Sequence, residues 1–500
     1  MGLGLSRARW LVLIAALALA LAAVWRLEAG RQGLILIALD VDGTPATVWR
    51  LPGAEPAPVV VIAHGFAGSR QLMEGFAQTL ARAGYVAVTY DLLGHGRNPV
   101  PMSGDVTVIE GTTLLLMDEL ARVTEAALAL PGADGRAALV GHSMASDIVV
   151  RQAIRDDRVQ AVVAVSMFSL AVTADQPRNL LAIAGEWEGF LSAEAQRALR
   201  LADPGADMGQ TAGDPAAGTG RRAVTAPWSE HVGVIYSPTT LAETAAWLDA
   251  GFGRTGAAAV PERRGIWIMA LLGVVLALGW PLAGALRRWR APLPPPRAGR
   301  GVFLAAVALP ALATPLILWP LPTKFLPVLV SDYLALHFLL YGLLALAILW
   351  RAGALRIAPG WLWLPVALFA IVAFGGAIDR YVTGFMPIAE RLPILLAIVA
   401  GTVPFMLADG ALTEGGRAPL WRTLLARGAA LLSLGLAVVL DPGELFFLLM
   451  ILPIVLAYFL LFGMVAGWIG RATWRPGAAG LGLGVFLGWA LAMTFPMFAA

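Results

Sequence analysis

Three short stretches set groups capable of acid–base or nucleophilic chemistry beside turn-forming residues: His64-Gly-Phe66, Asp91-Leu-Leu-Gly-His-Gly96 and Gly141-His-Ser-Met-Ala145. In the third, Ser143 stands between an apolar run, Ala138–Val140, and a helical pattern, Ala145–Ile154. A sharp strand-to-helix turn is crowded and needs small residues on both sides of its apex, places filled here by Gly141 and Ala145. Such a turn lifts the hydroxyl clear of the sheet and aims a helix N-terminus at developing negative charge. Taken alone, a structural serine in a turn explains this stretch equally well.

A serine hydroxyl attacks a carbonyl only after a base takes its proton. The chain has five histidines, at positions 64, 95, 142, 231 and 337. The first three lie inside the turn stretches, where packing accounts for them, and His337 lies in a long apolar segment. His231 remains, in Ser229-Glu-His-Val232 ahead of the amphipathic pattern Leu241–Leu248. There is no cysteine, which excludes a thiolate nucleophile, thiolate metal sites and disulfides and leaves the redox compartment open.

The elements that must position these groups lie between Leu34 and Phe252. Short apolar runs alternate there with helical patterns, the signature of an α/β fold whose mainly parallel sheet is covered on both faces. The expected strands are Leu34–Leu39, Ala46–Leu51, Val59–Ala63, Tyr85–Tyr90, Ala137–Val140, Ala161–Val165, Leu180–Ile183 and Arg222–Thr225. The expected helices are Arg70–Ala83, Ile109–Leu130, Ala145–Ile154, Ala193–Leu201 and Thr240–Ala250. Ala202–Gly220, rich in Gly, Ala, Asp and Pro, reads as a mobile loop.

With those elements in place, the motifs resemble the α/β-hydrolase family, over about residues 34–252. Val59-Val-Val-Ile-Ala-His-Gly-Phe66 resembles that family's strand and oxyanion turn. Tyr90-Asp-Leu-Leu-Gly-His-Gly96 resembles its next strand and turn, and Gly141–Ala145 its nucleophile elbow, with Ala145 where Gly is usual. The resemblance implies a serine esterase or lipase-like enzyme with Ser143 as nucleophile and His231 as base. It implies oxyanion donors at the backbone N–H groups of Phe66 and Met144. The acid should follow the strand Leu180–Ile183, where the chain reads Ala184-Gly-Glu-Trp-Glu188 and the family usually has Gly-x-x-Asp. Alignment on Gly185 makes the acid Glu188, with Glu186 as rival and Asp175 as a more distant one. The order Ser143, Glu188, His231 is the one expected for this fold. No metal or organic cofactor is implied. No cap insertion is apparent, which leaves the loop 202–221 or a membrane surface to cover the site. Phe66, Met144, Met167 and Phe168 suggest an acyl-binding surface, although core packing explains apolar residues near strand ends equally well.

The rest of the chain has a different composition. Overall it is 58% apolar and 14% charged, with a mean hydropathy of +0.74, against roughly 45–50% and 25% for soluble domains. The net charge of +3 is too small to suggest nucleic acid as a partner. We expect three parts: an N-terminal signal anchor (or signal peptide) over 1–29, a hydrolase domain over 30–262, and a transmembrane domain of about eight helices over 263–500. A spanning helix needs about 20 apolar residues. The candidates are Trp10–Trp25, Ile266–Leu286, Gly301–Leu321, Val328–Trp350, Trp361–Ile378, Leu392–Ala408, Thr423–Leu440, Leu445–Ile469 and Gly477–Phe498.

If the loop 287–300 is cytoplasmic, the alternation of spans puts thirteen arginines of the N-terminus and short loops on that side and three basic residues, Lys324, Arg380 and Arg391, in the short loops of the other, while Arg26 and Arg31 flank the far end of the first span and weaken that segment's own signal. The positive-inside bias then sets the hydrolase domain on the extracytoplasmic face of a bacterial-type plasma membrane. Tyr333, His337 and Tyr341 share one helix face at i, i+4, i+8, consistent with either a functional site or hydrogen bonding between helices. The sequence thus points to a membrane-anchored serine hydrolase whose partners are the bilayer and an ester or acylated, lipid-like substrate. The alternative is a transporter or receptor whose hydrolase-like domain binds without turnover.

Overall fold

The computed structural model describes residues 5–106, 108–255 and 260–499. The strands are β1 (Ile35–Val41), β2 (Thr44–Arg50), β3 (Ala57–Ala63), β4 (Val86–Tyr90), β5 (Ala133–His142), β6 (Val159–Val165), β7 (Leu180–Gly185), β8 (Thr211–Ala212) and β9 (Arg221–Ala226). The helices that precede the strands or alternate with them along the chain are α1 (Arg7–Ala29), α2 (Glu74–Arg82), α3 (Leu114–Leu128), α4 (Met144–Arg155), α5 (Gly189–Ala202) and α6 (Pro238–Phe252). After them come α7 (Arg264–Ala285), α8 (Arg300–Leu318), α9 (Ser331–Arg351), α10 (Trp363–Leu368), α11 (Gly376–Tyr381), α12 (Leu392–Leu412), α13 (Leu420–Leu440), α14 (Pro442–Leu445), α15 (Leu448–Thr473) and α16 (Pro476–Thr494).

Two compact units result. One comprises Ala23–Met269, Asp379–Gly384 and Pro496–Ala500; the other comprises Met1–Ala22, Ala270–Ile378 and Phe385–Phe495. The first holds a nine-stranded sheet of order β1-β2-β4-β3-β5-β6-β7-β9-β8. It is parallel from β4 through β9, with antiparallel β1 and β2 at one edge and β8 at the other.

The central strands are continuous apolar runs because both faces of the sheet are covered. The two-residue period divides them cleanly. Val59, Val61, Leu139, Val162 and Ala182 face α3, α4 and α5 through Leu120, Val149 and Leu199. Val60, Ile62, Val140, Val163 and Ile183 face α2 and α6 through Phe76, Leu80, Leu241 and Leu248.

Several boundaries differ from the sequence expectation for local reasons. The helix expected from Arg70 begins as a tight turn over Arg70–Met73. The one expected from Ile109 starts with a wide turn, where Gly111 at φ −87°, ψ −125° leaves helical geometry. The expected loop 202–220 contains β8, whose residues pair with Arg221 and Arg222 of β9, so this segment is built into the sheet edge and is not a cover for Ser143. The last helix stops at Thr494 because Phe495, ahead of Pro496, is extended at φ −80°, ψ 140°. Phe498 then pairs with Met102 inside the first unit.

Among the described residues, nine helices are long and apolar enough to cross a membrane. The span Gly360–Tyr381 is interrupted by a wide turn over Phe369–Gly375. Close helix approach uses small residues. A Cβ at Gly342 of α9 would lie 2.4 Å from the Phe405 nitrogen of α12, and one at Gly480 of α16 would lie 2.7 Å from the Met406 oxygen. His337 is buried and joins α9 to α13 by a 3.1 Å hydrogen bond between its Nε2 and Ser433 Oγ; its Nδ1 lies 3.4 Å from Tyr333 Oη.

Two buried carboxylates hold the turn after β4: Asp91, which accepts from the Arg70 N–H (2.8 Å) and the Arg97 N–H (3.1 Å), and Glu119. Glu119 of α3 accepts from Thr44 Oγ1 (2.8 Å), the Leu93 N–H (2.9 Å) and Asn98 Nδ2 (2.9 Å). Burial pushes its carboxyl from the ordinary 4.5 up to about 7, against the opposing effect of those donors and of Arg122. A carboxyl whose folded value exceeds its unfolded one stabilises the fold fully below the unfolded value, and that contribution disappears as pH rises through the folded one. Thermal unfolding of the wild type between about pH 4.5 and 7 should therefore include a falling component. Glu119→Gln should remove it, and an unchanged slope in the variant would refute the assignment.

Candidate active site

Ser143 is the apex of the turn between β5 and α4. Its backbone is held at φ 54°, ψ −119°, a left-handed conformation that a residue with a Cβ adopts only when its surroundings impose it. Gly141 lets α4 cross β5 closely: a Cβ there would sit 2.4 Å from the Ala145 oxygen and 2.7 Å from Val149 Cγ2. On the other side, a Cβ on Gly65 would come within 2.9 Å of Ser143 Cβ. The turn after β3 therefore abuts the serine.

His231 follows β9 and Glu188 follows β7, so all three groups sit at carboxyl ends of parallel strands. His231 Nε2 lies 2.8 Å from Ser143 Oγ, and its Nδ1 lies 2.5 Å from Glu188 Oε1. The second carboxylate oxygen of Glu188 accepts from Ser166 Oγ at 2.8 Å and from the Gly185 N–H at 2.6 Å. Burial alone would raise the Glu188 carboxyl, but the bonds from His231, Gly185 and Ser166 outweigh it and hold the group below the usual carboxylate range. The rivals are elsewhere. Glu186 is exposed and accepts from the Trp228 N–H (2.7 Å), and exposed Asp175 accepts from Thr173 Oγ1 (2.9 Å).

Phe66 lies in the turn after β3, and Met144 is the first residue of α4, whose N–H belongs to the first turn that has no acceptor within the helix. The remaining turn histidines are occupied. Buried His64 has Nδ1 2.8 Å from the Gly65 oxygen and accepts from the Leu92 N–H (3.1 Å) at Nε2, and burial lowers its pKa. His95 Nδ1 lies 2.8 Å from the Leu93 oxygen.

Two contributors escaped the sequence reading. One is Ser166, which holds the far oxygen of Glu188. The other is the ring of His142, whose Nε2 lies 2.8 Å from the backbone oxygen of His231 and so ties the histidine loop to the serine turn. Burial, then the neighbouring His231, lowers the His142 pKa to about 4, so the ring is neutral near pH 7. No spacing rule announces a ring bonded to a carbonyl 89 positions away. Met167 is fully buried in the core and lines no acyl surface, whereas Phe168 is 47% exposed. Phe168 stacks near Phe190 (centroids 5.8 Å apart), and Leu170, Trp187, Trp228 and Val232 are exposed on the same strand-end loops.

A sheet of this order with a serine elbow after β5 is the architecture of a hydrolase-type α/β domain. Residues 58–203 match the family described as alpha/beta hydrolase fold, and the chain thus carries an α/β-hydrolase domain together with an all-helical region of long apolar helices. No curated protein matches. Among solved structures, the chain is similar to a membrane phospholipase A described as a bacterial virulence factor (17% identity, TM-score 0.32), over 48% of this chain and 97% of that one. A hypothetical protein from Pseudomonas aeruginosa is similar at 13% identity and TM-score 0.31, over 41% and 89%. A Vigna radiata epoxide hydrolase mutant is similar at 22% identity and TM-score 0.22, over 27% of this chain; the chain spans only 40% of that protein's length.

The crossing at Gly141 gives a direct test of the turn. Gly141→Ala puts a methyl group against backbone, and overpacking of this kind costs about 1–3 kcal/mol. The melting temperature of the variant should fall; an unchanged value would show that α4 can retreat from β5.

Proposed function

We propose that the domain is a serine hydrolase cleaving carboxylic esters with an apolar acyl part, and that Ser143, His231 and Glu188 act together. The observation that carries this reading is the continuous hydrogen-bonded row Ser143 Oγ, His231 Nε2, His231 Nδ1, Glu188 Oε1 at three strand ends. Ser143 attacks the ester carbonyl as its proton passes to Nε2. Glu188, kept ionised by its three hydrogen bonds, fixes the Nδ1–H tautomer and stabilises the imidazolium. The N–H groups of Phe66 and Met144 receive the charge of the tetrahedral oxygen, each worth about 10²–10³ in rate. The imidazolium then gives its proton to the leaving alkoxide, and water releases the acyl group by the same steps.

The acyl preference rests on the exposed rim of Phe168, Leu170, Trp187, Phe190 and Trp228, since exposed apolar groups gathered on loops at one strand end mark a binding surface. The nine long apolar helices among the described residues and the asymmetric arginines support a multi-pass membrane protein with this domain on the extracytoplasmic face.

A fluorophosphonate probe applied to membranes should label the wild type, should not label Ser143→Ala, and should label His231→Ala weakly. Glu188→Gln should lower ester turnover about 10³–10⁴-fold by allowing the wrong tautomer. Well-folded wild type that resists the probe would sink the nucleophile assignment. Turnover of soluble peptides alone would sink the ester reading.

A further inference from the structure

The helical unit carries a positive cavity that the hydrolase chemistry does not use. Arg9 of α1, Arg287 and Arg290 just after α7, and Arg471 near the end of α15 line a cavity of about 270 Å³, with Trp280 and Trp468 among its walls. These are helix-end positions, where a bilayer's phosphate layer lies. The ion pairs near this end use other arginines: Arg297 and Arg422 with Glu414, and Arg427 with Asp409. Among the described residues, Arg9, Arg287, Arg290 and Arg471 form no ion pair.

Part of the cluster is explained structurally. Arg290 Nε donates to the Ala472 oxygen (3.0 Å) and Arg471 Nη1 to the Gly416 oxygen (2.7 Å), as cations near a helix C-terminus do. Arg9 stands over the Trp280 ring at 5.2 Å. None of these neutral partners supplies a counter-charge. Four like charges around one small cavity repel each other unless an anion joins them.

Trp468 and Arg471 also line a second, adjoining groove of about 530 Å³ between α12, α13, α15 and α16. Its walls are mainly apolar, including Leu424, Leu456, Leu460 and Met464. A polar, positive chamber opening beside a long apolar groove matches an amphiphile with an anionic head and an acyl tail.

We propose that this is a binding site for an anionic phospholipid, its phosphoryl head among Arg9, Arg287, Arg290 and Arg471 and one acyl chain along the Trp468–Leu460 groove. Basic pockets between membrane helices recognise such heads, at about a tenfold or smaller gain in affinity per arginine.

The test uses the full-length protein, stripped of lipid in a neutral detergent, with dioleoylphosphatidylglycerol, dioleoylphosphatidylcholine and inorganic phosphate as separate probes. Binding is read by native mass spectrometry. The double variant Arg9→Gln/Arg287→Gln spares the two arginines that cap backbone, and Arg356→Gln serves as a basic-loop control. Monodisperse elution in detergent and an unchanged helical circular-dichroism melt report folding of each variant. Phosphatidylglycerol should bind in preference to phosphatidylcholine, and the double variant should bind it about thirtyfold more weakly while the control is unaffected. Equal binding of the two lipids, or retained preference in a folded double variant, would overturn the proposal. Full displacement by millimolar phosphate would assign the chamber to a free anion and overturn the lipid reading.

Discussion

Everything at the strand ends depends on how closely α4 crosses β5. The space above Gly141 is taken by the Ala145 carbonyl, with 2.4 Å left for a Cβ. That closeness keeps Ser143 at φ 54°, a conformation costing of order 1–3 kcal/mol, and the fold supplies it by burying β3, β5, β6 and β7 on both faces. A serine on a relaxed loop would have many rotamers and no fixed partner. Here the hydroxyl is delivered to one place, and the loops after β7 and β9 need only reach it.

They reach it by a second close approach. A Cβ on Gly185 would lie 2.4 Å from the Ser229 oxygen, so the β7 and β9 loops touch directly, and the Trp187 N–H donates to that same oxygen at 3.1 Å. The Glu188 N–H turns back to the Gly185 oxygen at 3.0 Å, which carries the side chain inward. Glu186, two residues earlier, is left outside. The choice between two glutamates is therefore made by a turn, not by acidity.

This explains what was legible in the sequence and what was not. Strands buried on both faces must be apolar throughout, so β3, β5, β6 and β7 could be read directly. β8 could not, because two residues, Thr211 and Ala212, are too few to show a strand's period. Helix starts were read too early at Arg70 and Ile109, since tight and wide turns share the helical apolar period. Ser143 and His231 stood out by local motif and by the small number of histidines. Ser166 and the His142 ring did not, because each acts on an atom brought near only by folding.

The arginines extend the same lesson to the helical unit. Counted along the chain, they give a topology bias and nothing more. In space two groups among them stand apart. Arg422 and Arg427, both largely out of solvent, pair with Glu414 and Asp409 respectively, as buried charges must, and exposed Arg297 shares Glu414. Arg9, Arg287, Arg290 and Arg471 share one cavity without a carboxylate. A topology signal requires only that positive charge be present on one side of the membrane; it does not require four guanidinium groups to converge. Convergence carries an electrostatic cost that scattered surface placement would avoid, and a ligand that brings its own negative charge removes that cost.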